Sequence, residues 1–255
     1  ALRRLVTRLW VTVTALAVGV VYALWGLWVL LRRGPRQTFR WRVRDRPPPS
    51  LVTPRCHHHH HLPPTRFCWR YLLQEFSTQY RVVALDLRGY GASEKPPDKE
   101  SYRLEVLLED IRQVIEALAT PEGQQEVTSA TTCVLVGHDW GGLLAWEVAA
   151  NYPAMVEKLV VMDAPDWASV MGFITSHPLQ FLRSSYMFLF QLPWLPELLF
   201  SLADFELVKS GLTGPSTGIQ NPARRLTEQE VESYLYSLSQ PGGLAPPIHY
   251  YRNLF

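Results

Sequence analysis

From residue 9 to residue 31 the chain carries no charged side chain, running from Leu9-Trp10-Val11 to Trp28-Val29-Leu30-Leu31. A bilayer core is crossed by about 20 apolar helical residues, so this run is long enough to span one. Trp10, Trp25 and Trp28 lie toward its ends, where indole rings favour the membrane–water interface. A cleaved signal peptide has a shorter apolar core and a small-residue cleavage site. Here Arg32-Arg33-Gly34-Pro35 follows instead. The pattern therefore predicts a retained single-pass membrane anchor over 9–31. Arg3, Arg4 and Arg8 precede the run; Arg32, Arg33, Arg36, Arg40, Arg42, Arg44 and Arg46 follow it. By the positive-inside rule, that asymmetry puts the rest of the chain in the cytosol. The arginines after the run suit either a solvated linker or anionic headgroups.

Beyond the anchor the periodicity changes repeatedly. Residues 47–66 are proline-rich and irregular. Trp69 to Phe76 reads as a short helix, and Arg81-Val82-Val83-Ala84-Leu85-Asp86-Leu87 as a buried strand that turns out through Arg88-Gly89-Tyr90-Gly91. Leu104, Leu107, Leu108, Ile111, Val114, Ile115 and Leu118 recur at helical spacing. Cys133 to Val136 is an apolar strand, Gly142 to Ala150 a helix, and Val156 to Met162 a third strand. This alternation implies a parallel sheet with right-handed crossovers. Residues 166–255 are rich in aromatics and show helical signals only, including Pro196 to Lys209 and the capping box Thr227-Glu228-Gln229-Glu230 before Val231. The expected organisation is an anchor over 1–33, a basic Pro/His-rich linker over 34–68, an α/β core over 69–165 and a helical lid over 166–255.

Composition narrows the function. A net charge of +2 over 255 residues gives no global signature of nucleic-acid binding. Three cysteines, Cys56, Cys68 and Cys133, are too few and too scattered for a disulfide framework. Five successive histidines, His57 to His61, splay apart on extended chain and define no metal geometry, so neither a metal nor a cofactor is expected.

The most informative segment is Gly137-His138-Asp139-Trp140-Gly141, between the Cys133–Val136 strand and the following helix. Strand–turn–helix with small flanking residues is the setting of a nucleophile elbow, with Asp where hydrolases of this type usually carry Ser. A carboxylate at that place attacks carbon and forms an ester. The plainer alternative is a polar turn whose Asp caps the helix. Asp86, at a predicted strand end, is a second candidate on the switch-point rule, with loop bracing as its alternative.

With elbow, loop and lid identified, the chain resembles the α/β-hydrolase-fold epoxide hydrolases, closest to their membrane-anchored branch. The resemblance rests on Trp69-Arg70-Tyr71 with Phe76, Val82 to Gly91, Val136 to Gly142, Ser185 to Trp194, Ser239-Gln240-Pro241-Gly242-Gly243 and Tyr250-Tyr251-Arg252-Asn253. It implies an α/β-hydrolase fold with a partial parallel sheet and a helical lid, behind an N-terminal transmembrane helix. It also implies Asp139 as nucleophile, the Trp140 backbone N–H in the oxyanion hole, and Tyr186 and Tyr251 as hydrogen-bond donors to the epoxide oxygen. The implied substrate is a small apolar, lipid-like epoxide converted to a vicinal diol, on a membrane such as the endoplasmic reticulum.

The chain departs from the family pattern in several places. His61-Leu62-Pro63-Pro64 stands where a His-Gly-X-Pro motif is expected, and the first strands are missing with it. Residues 123–130 read as an insertion. His177 and His249 do not match the motif of the water-activating base. These departures predict an incomplete chain with doubtful turnover. Two other functions remain open: a haloalkane dehalogenase, which also uses Asp-Trp at the elbow, and an inactive pseudo-hydrolase that binds a lipid or partner.

Overall fold

A computed structural model describes residues 2–40, 42, 44, 67–119 and 132–255. The His57–His61 run, the proline-rich linker and the 123–130 insertion lie outside the described residues. Two compact units emerge: residues 1–99 with 186–255, and residues 100–185.

The first unit is built on α1 (Leu2–Arg33), a helix of 32 residues. It contains a stretch long and apolar enough to cross a membrane. A helix apolar on all sides must be covered on all sides. One stripe is covered by protein: Val11, Ala15 and Val29 are buried, and Val18, Tyr22 and Trp25 pack against Leu189, Phe190, Leu199, Leu202 and Ile248. The small residues Gly19 and Gly26 lie against Leu192 and Leu199. After the turn α2 (Pro35–Thr38) comes α3 (Arg70–Phe76), as the sequence predicts. The unit also contains α8 (Tyr186–Leu189), α9 (Leu195–Thr213), α10 (Glu228–Ser239) and α11 (Ala245–Arg252). The predicted capping box is present in full at α10. Thr227 Oγ1 accepts from the Glu230 amide at 3.3 Å, and Glu230 Oε2 accepts from the Thr227 amide at 2.9 Å.

Two expectations need correction here. Residues 81–87 join no sheet. Val82, Val83 and Leu85 are exposed, not buried. An apolar β-branched run becomes a strand only beside a partner that takes up its backbone groups. Among the described residues none pairs with this one. The helix predicted over Pro196 to Lys209 is also broken: Leu202 is extended, and Ala203, Asp204 and Phe205 have positive φ, between 50° and 65°.

The second unit contains α4 (Leu104–Ala119), β1 (Cys133–His138), α5 (Trp140–Asn151), β2 (Val156–Met162), α6 (Trp167–Ser176) and α7 (Pro178–Arg183). The helical spacing of α4 turns Leu107, Leu108, Ile111 and Ile115 inward, as read from the sequence. β1 and β2 pair in parallel, from Val134 opposite Lys158 to His138 opposite Met162. This is the β–α–β unit that carries the elbow.

The sheet is thin. Among the described residues β1 and β2 pair only with each other. Val134, Val136 and Val160 remain 50%, 44% and 45% exposed. Parallel strands normally have both faces covered, and two strands alone are marginal in water. Limited proteolysis of the 255-residue chain should therefore cut within 132–165 early. A resistant fragment spanning that segment would contradict this.

Candidate active site

The elbow is set by its backbone. β1 ends at His138, and the chain reverses through Asp139, whose φ of 51° and ψ of −125° lie where side-chain-bearing residues are strained. The amide of Asp139 donates to the Met162 carbonyl of β2 at 3.3 Å. Its carbonyl accepts from Gly142 and Leu143 at 2.9 and 3.0 Å and starts α5. The turn is thus held from the sheet on one side and the helix on the other.

The glycines have different roles. A Cβ on Gly137 would collide with the Gly141 carbonyl oxygen and would lie 2.6 Å from Gly142 Cα. One on Gly142 would lie 2.6 Å from Ala164 Cβ. Gly141 has open space around it. Strand and helix cross at Gly137 and Gly142, so those two positions require glycine and Gly141 does not. Gly137→Ala and Gly142→Ala should each cost about 1–3 kcal/mol in a denaturant unfolding series. Gly141→Ala should be close to neutral.

The Asp139 side chain does not cap α5 in the usual manner, because it makes no hydrogen bond to the second or third helical amide. It accepts instead from the backbone N–H of Trp140. The residue as a whole is exposed, yet the protein packed about its carboxyl makes ionisation costly. That burial raises its pKa above the ordinary carboxylate value, with Asp163 adding to the rise. His138 and the Trp140 amide oppose it. His138 Nε2 lies 3.7 Å from Asp163 Oδ2 at the end of β2. The arrangement is an accessible carboxylate at a helix N-terminus, with a backbone donor already beside it.

Tyr186 and Tyr251 come together in the other unit. Their ring centroids are 5.6 Å apart at 77°, and each ring meets Phe190, at 5.6 and 4.8 Å. Gln191 Nε2 donates to the Tyr251 carbonyl at 2.7 Å. Arg252 ties the same helix down: its guanidinium donates to the Phe190 and Leu192 carbonyls at 3.1 and 2.7 Å and to both oxygens of Glu197 at 2.8 and 3.1 Å. Asn253 Nδ2 bonds the Lys99 and His249 carbonyls at 2.7 and 2.9 Å. The Tyr-Arg-Asn motif therefore holds a phenol in place, with Arg and Asn as its braces. Sequence reasoning singled out the tyrosines and missed the Arg252–Glu197 pair, which nothing in the spacing of 197 and 252 announces.

Other candidates resolve more simply. Asp86 Oδ2 accepts from the Ala92 amide at 3.4 Å, and its carbonyl accepts from the Ser93 hydroxyl, so Asp86 braces its own loop. Tyr250 Oη donates to the Arg88 carbonyl at 2.7 Å, and His249 Nε2 sits 3.1 Å from the Pro97 carbonyl. Burial lowers the His249 pKa. Among the described residues no group of His, Cys, Asp and Glu is placed to hold a metal.

The α/β-hydrolase-fold family model matches residues 57–197. Epoxide hydrolase 4 of Homo sapiens is 40% identical over 257 residues, covering 90% of this chain and 68% of the relative. Epoxide hydrolase 3 of Xenopus tropicalis is 41% identical, covering 89% of this chain and 66% of the relative. The Bacillus megaterium epoxide hydrolase, solved with an inhibitor, superposes with a TM-score of 0.59 at 34% identity, over 74% of this chain and 61% of that one. The chain thus spans about two thirds of the length of these curated relatives and about three fifths of the solved structure. On the elbow and on these matches together, the chain belongs to the α/β-hydrolase-fold family, among its epoxide hydrolases.

Proposed function

We propose that the protein opens epoxides through an ester on Asp139. The reading rests on one observation above all: a carboxylate at a positive-φ elbow, with the Trp140 amide hydrogen-bonded to it. An Asp139 oxygen attacks a ring carbon and the C–O bond of the strained ring breaks. The resemblance assigns the proton that the alkoxide takes up to Tyr186 or Tyr251. Phenols act best where negative charge develops, and their fixed edge-to-face packing holds them ready for that role. In the second half-reaction, water attacks the ester carbonyl, the Trp140 N–H stabilises the tetrahedral oxyanion, and diol leaves with the carboxylate restored. The resemblance assigns none of these 255 residues to the water-activating base, so ring opening is assigned to this chain and turnover is not.

The finer reading is of a membrane-held enzyme of the endoplasmic reticulum, facing the cytosol, that takes lipid-like epoxides. It is supported by the apolar α1 and its flanking arginines. Expressed protein should stay in the pellet after alkaline carbonate extraction, and release of the full chain would overturn the membrane reading. Side-by-side incubation with an epoxide and a chloroalkane tests the reaction class. Alkylation of Asp139 by the epoxide alone is the expected result. Halide release from the chloroalkane would favour a dehalogenase.

A further inference from the structure

Tyr186 and Tyr251 stand on short supports. Tyr186 opens α8, a single turn of four residues, and Tyr251 lies in the last turn of the eight-residue α11. Helices this short do not hold themselves in water. Two donors that serve one oxygen must nevertheless keep their separation, since a misplacement of about 1 Å costs on the order of 10²-fold in rate. The rings alone do not fix it, because edge-to-face contacts are favourable over a centroid range of about 4.5–7 Å. Polar cross-links do, and they run in both directions. From the Tyr186 side, Gln191 Nε2 donates to the Tyr251 carbonyl at 2.7 Å and to the Met187 carbonyl of α8 at 3.1 Å. From the Tyr251 side, Arg252 reaches into the turn between α8 and α9. Its Nε donates to the Phe190 carbonyl at 3.1 Å and its Nη2 to the Leu192 carbonyl at 2.7 Å. Glu197 of α9 accepts from Nη1 at 2.8 Å and from Nη2 at 3.1 Å.

We propose that Arg252, fixed by Glu197 and seconded by Gln191, is the positioning residue that makes one donor pair of the two phenols. It touches neither substrate nor reacting atoms. It sets the distance between the segment that carries Tyr186 and the helix that carries Tyr251, and so lets both hydroxyls serve the same alkoxide. The guanidinium is used in full. The fifth N–H, the second on Nη1, faces His249 Nδ1 at 3.4 Å, while His249 Nε2 faces the Pro97 carbonyl. The Arg252 side chain is 13% exposed and that of Glu197 24%, so this is a shielded pair with a fixed fork, unlike a surface ion pair. An ammonium at position 252 would keep the charge and lose the fork, because one point charge cannot meet two carbonyls and a carboxylate in set directions. This inference rests on the epoxide-opening reading above.

The test is the rate of adduct formation by the full chain in detergent with a styrene-oxide-like epoxide. Arg252→Lys should slow it by about 10²-fold. In that background Tyr251→Phe should slow it further by less than about threefold, against about 10²-fold in the parent, because the two changes remove the same arrangement. An Arg252 that only stabilised the fold would lower the amount of reactive protein and leave the effect of Tyr251→Phe whole. An undiminished Tyr251→Phe effect therefore overturns the proposal. Glu197→Gln is the milder variant and should weaken the Tyr251→Phe effect in the same direction; if Arg252→Lys does not fold, an undiminished effect in Glu197→Gln overturns the proposal instead. A second measurement needs no reaction. With fluorotyrosine placed at position 251, the fluorine resonance of the parent should be displaced from that of the free amino acid by the packed rings. Arg252→Lys, or Glu197→Gln, should move it toward the free value. An unmoved resonance would show that the ring is held without the clamp and would overturn the proposal. A parent chain that forms no adduct would overturn the epoxide-opening reading, and the fluorine resonance would then decide the positioning by itself.

Discussion

Incubated with a styrene-oxide-like or fatty-acid epoxide, the 255-residue chain should gain the mass of one whole substrate molecule and keep it. Ring opening adds the epoxide to Asp139 without loss of any atom, so intact mass reads the step directly. Asp139→Asn should abolish the gain, because an amide is not a nucleophile at this position. Tyr186→Phe or Tyr251→Phe should slow it by about 10²-fold, the usual effect of losing one donor to a developing oxyanion. The pH dependence follows from the carboxyl group. Only the ionised form attacks, and burial raises the Asp139 pKa above the ordinary carboxylate value. The rate of adduct formation should therefore rise with pH through that raised value and level off above it. Persistence follows from the missing assignment of a base, since ester hydrolysis needs an activated water. Sustained diol formation dependent on Asp139 would contradict the half-reaction and reveal a base among these residues.

The largest stability effect should come from Arg44. Its side chain is only 5% exposed, the least of any ion-paired arginine described. It donates to Asp204 at 3.2 and 3.4 Å and to both oxygens of Glu232, one of them at 3.1 Å. Lys209 Nζ shares Asp204 at 2.9 Å. The Arg44 backbone also pairs with the side chains of Ser239 and Gln240, at 3.4 and 3.0 Å. Burial alone would lower the Arg44 pKa, and the carboxylates of Glu232 and Asp204 outweigh it. Arg44→Ala removes the guanidinium that Asp204 and Glu232 share and leaves Lys209 on Asp204. A full penalty for breaking a buried pair is about 3–5 kcal/mol. Glu232 is 42% exposed and so partly screened, which brings the expectation to about 2–3 kcal/mol. The sign of the pH effect is fixed. Against the cost of its burial, Lys209 and Arg44 hold the Asp204 carboxyl below its ordinary value, and the hydrogen bond from Arg44 does the same for Glu232. Their contribution is complete above the unfolded carboxylate range and is lost as pH falls through the lowered native values. Thermal unfolding in detergent should show a lower midpoint for Arg44→Ala at neutral pH, converging with the parent chain in acid. Equal midpoints at neutral pH would show that the cluster contributes nothing.

The contrast between Arg44 and Asp139 marks what was legible in the sequence. The elbow is a local device: five residues, a strand before and a helix after contain all of its geometry. The capping box at Thr227 and the α4 stripe are local in the same way, and both were read correctly. Arg44 stands in a run of arginines after the apolar stretch, and nothing in the run separates a buried clamp from a solvated linker. Only the folded chain brings residues 44, 204 and 232 together. The break at Leu202–Phe205 was hidden for the same reason. No Gly or Pro marks it, and it is held by the Asp204 amide donating to the Arg40 carbonyl at 2.9 Å and by the burial of Phe205. Residues 81–87 failed in the opposite direction. Their composition is that of a buried strand, but pairing is a property of two segments, and one segment cannot supply it. The tyrosines at 186 and 251 were found through motif resemblance, since two phenols 65 positions apart carry no spacing signal.

The central claim is that Asp139 itself becomes esterified, and peptide mapping of the epoxide-treated chain tests it most directly. Mild digestion at low pH, which spares the ester, should place the added mass on Asp139, within the peptide that joins β1 to α5. A substrate-sized adduct on any other residue, with Asp139 unmodified, would contradict the assignment of the elbow as the nucleophile.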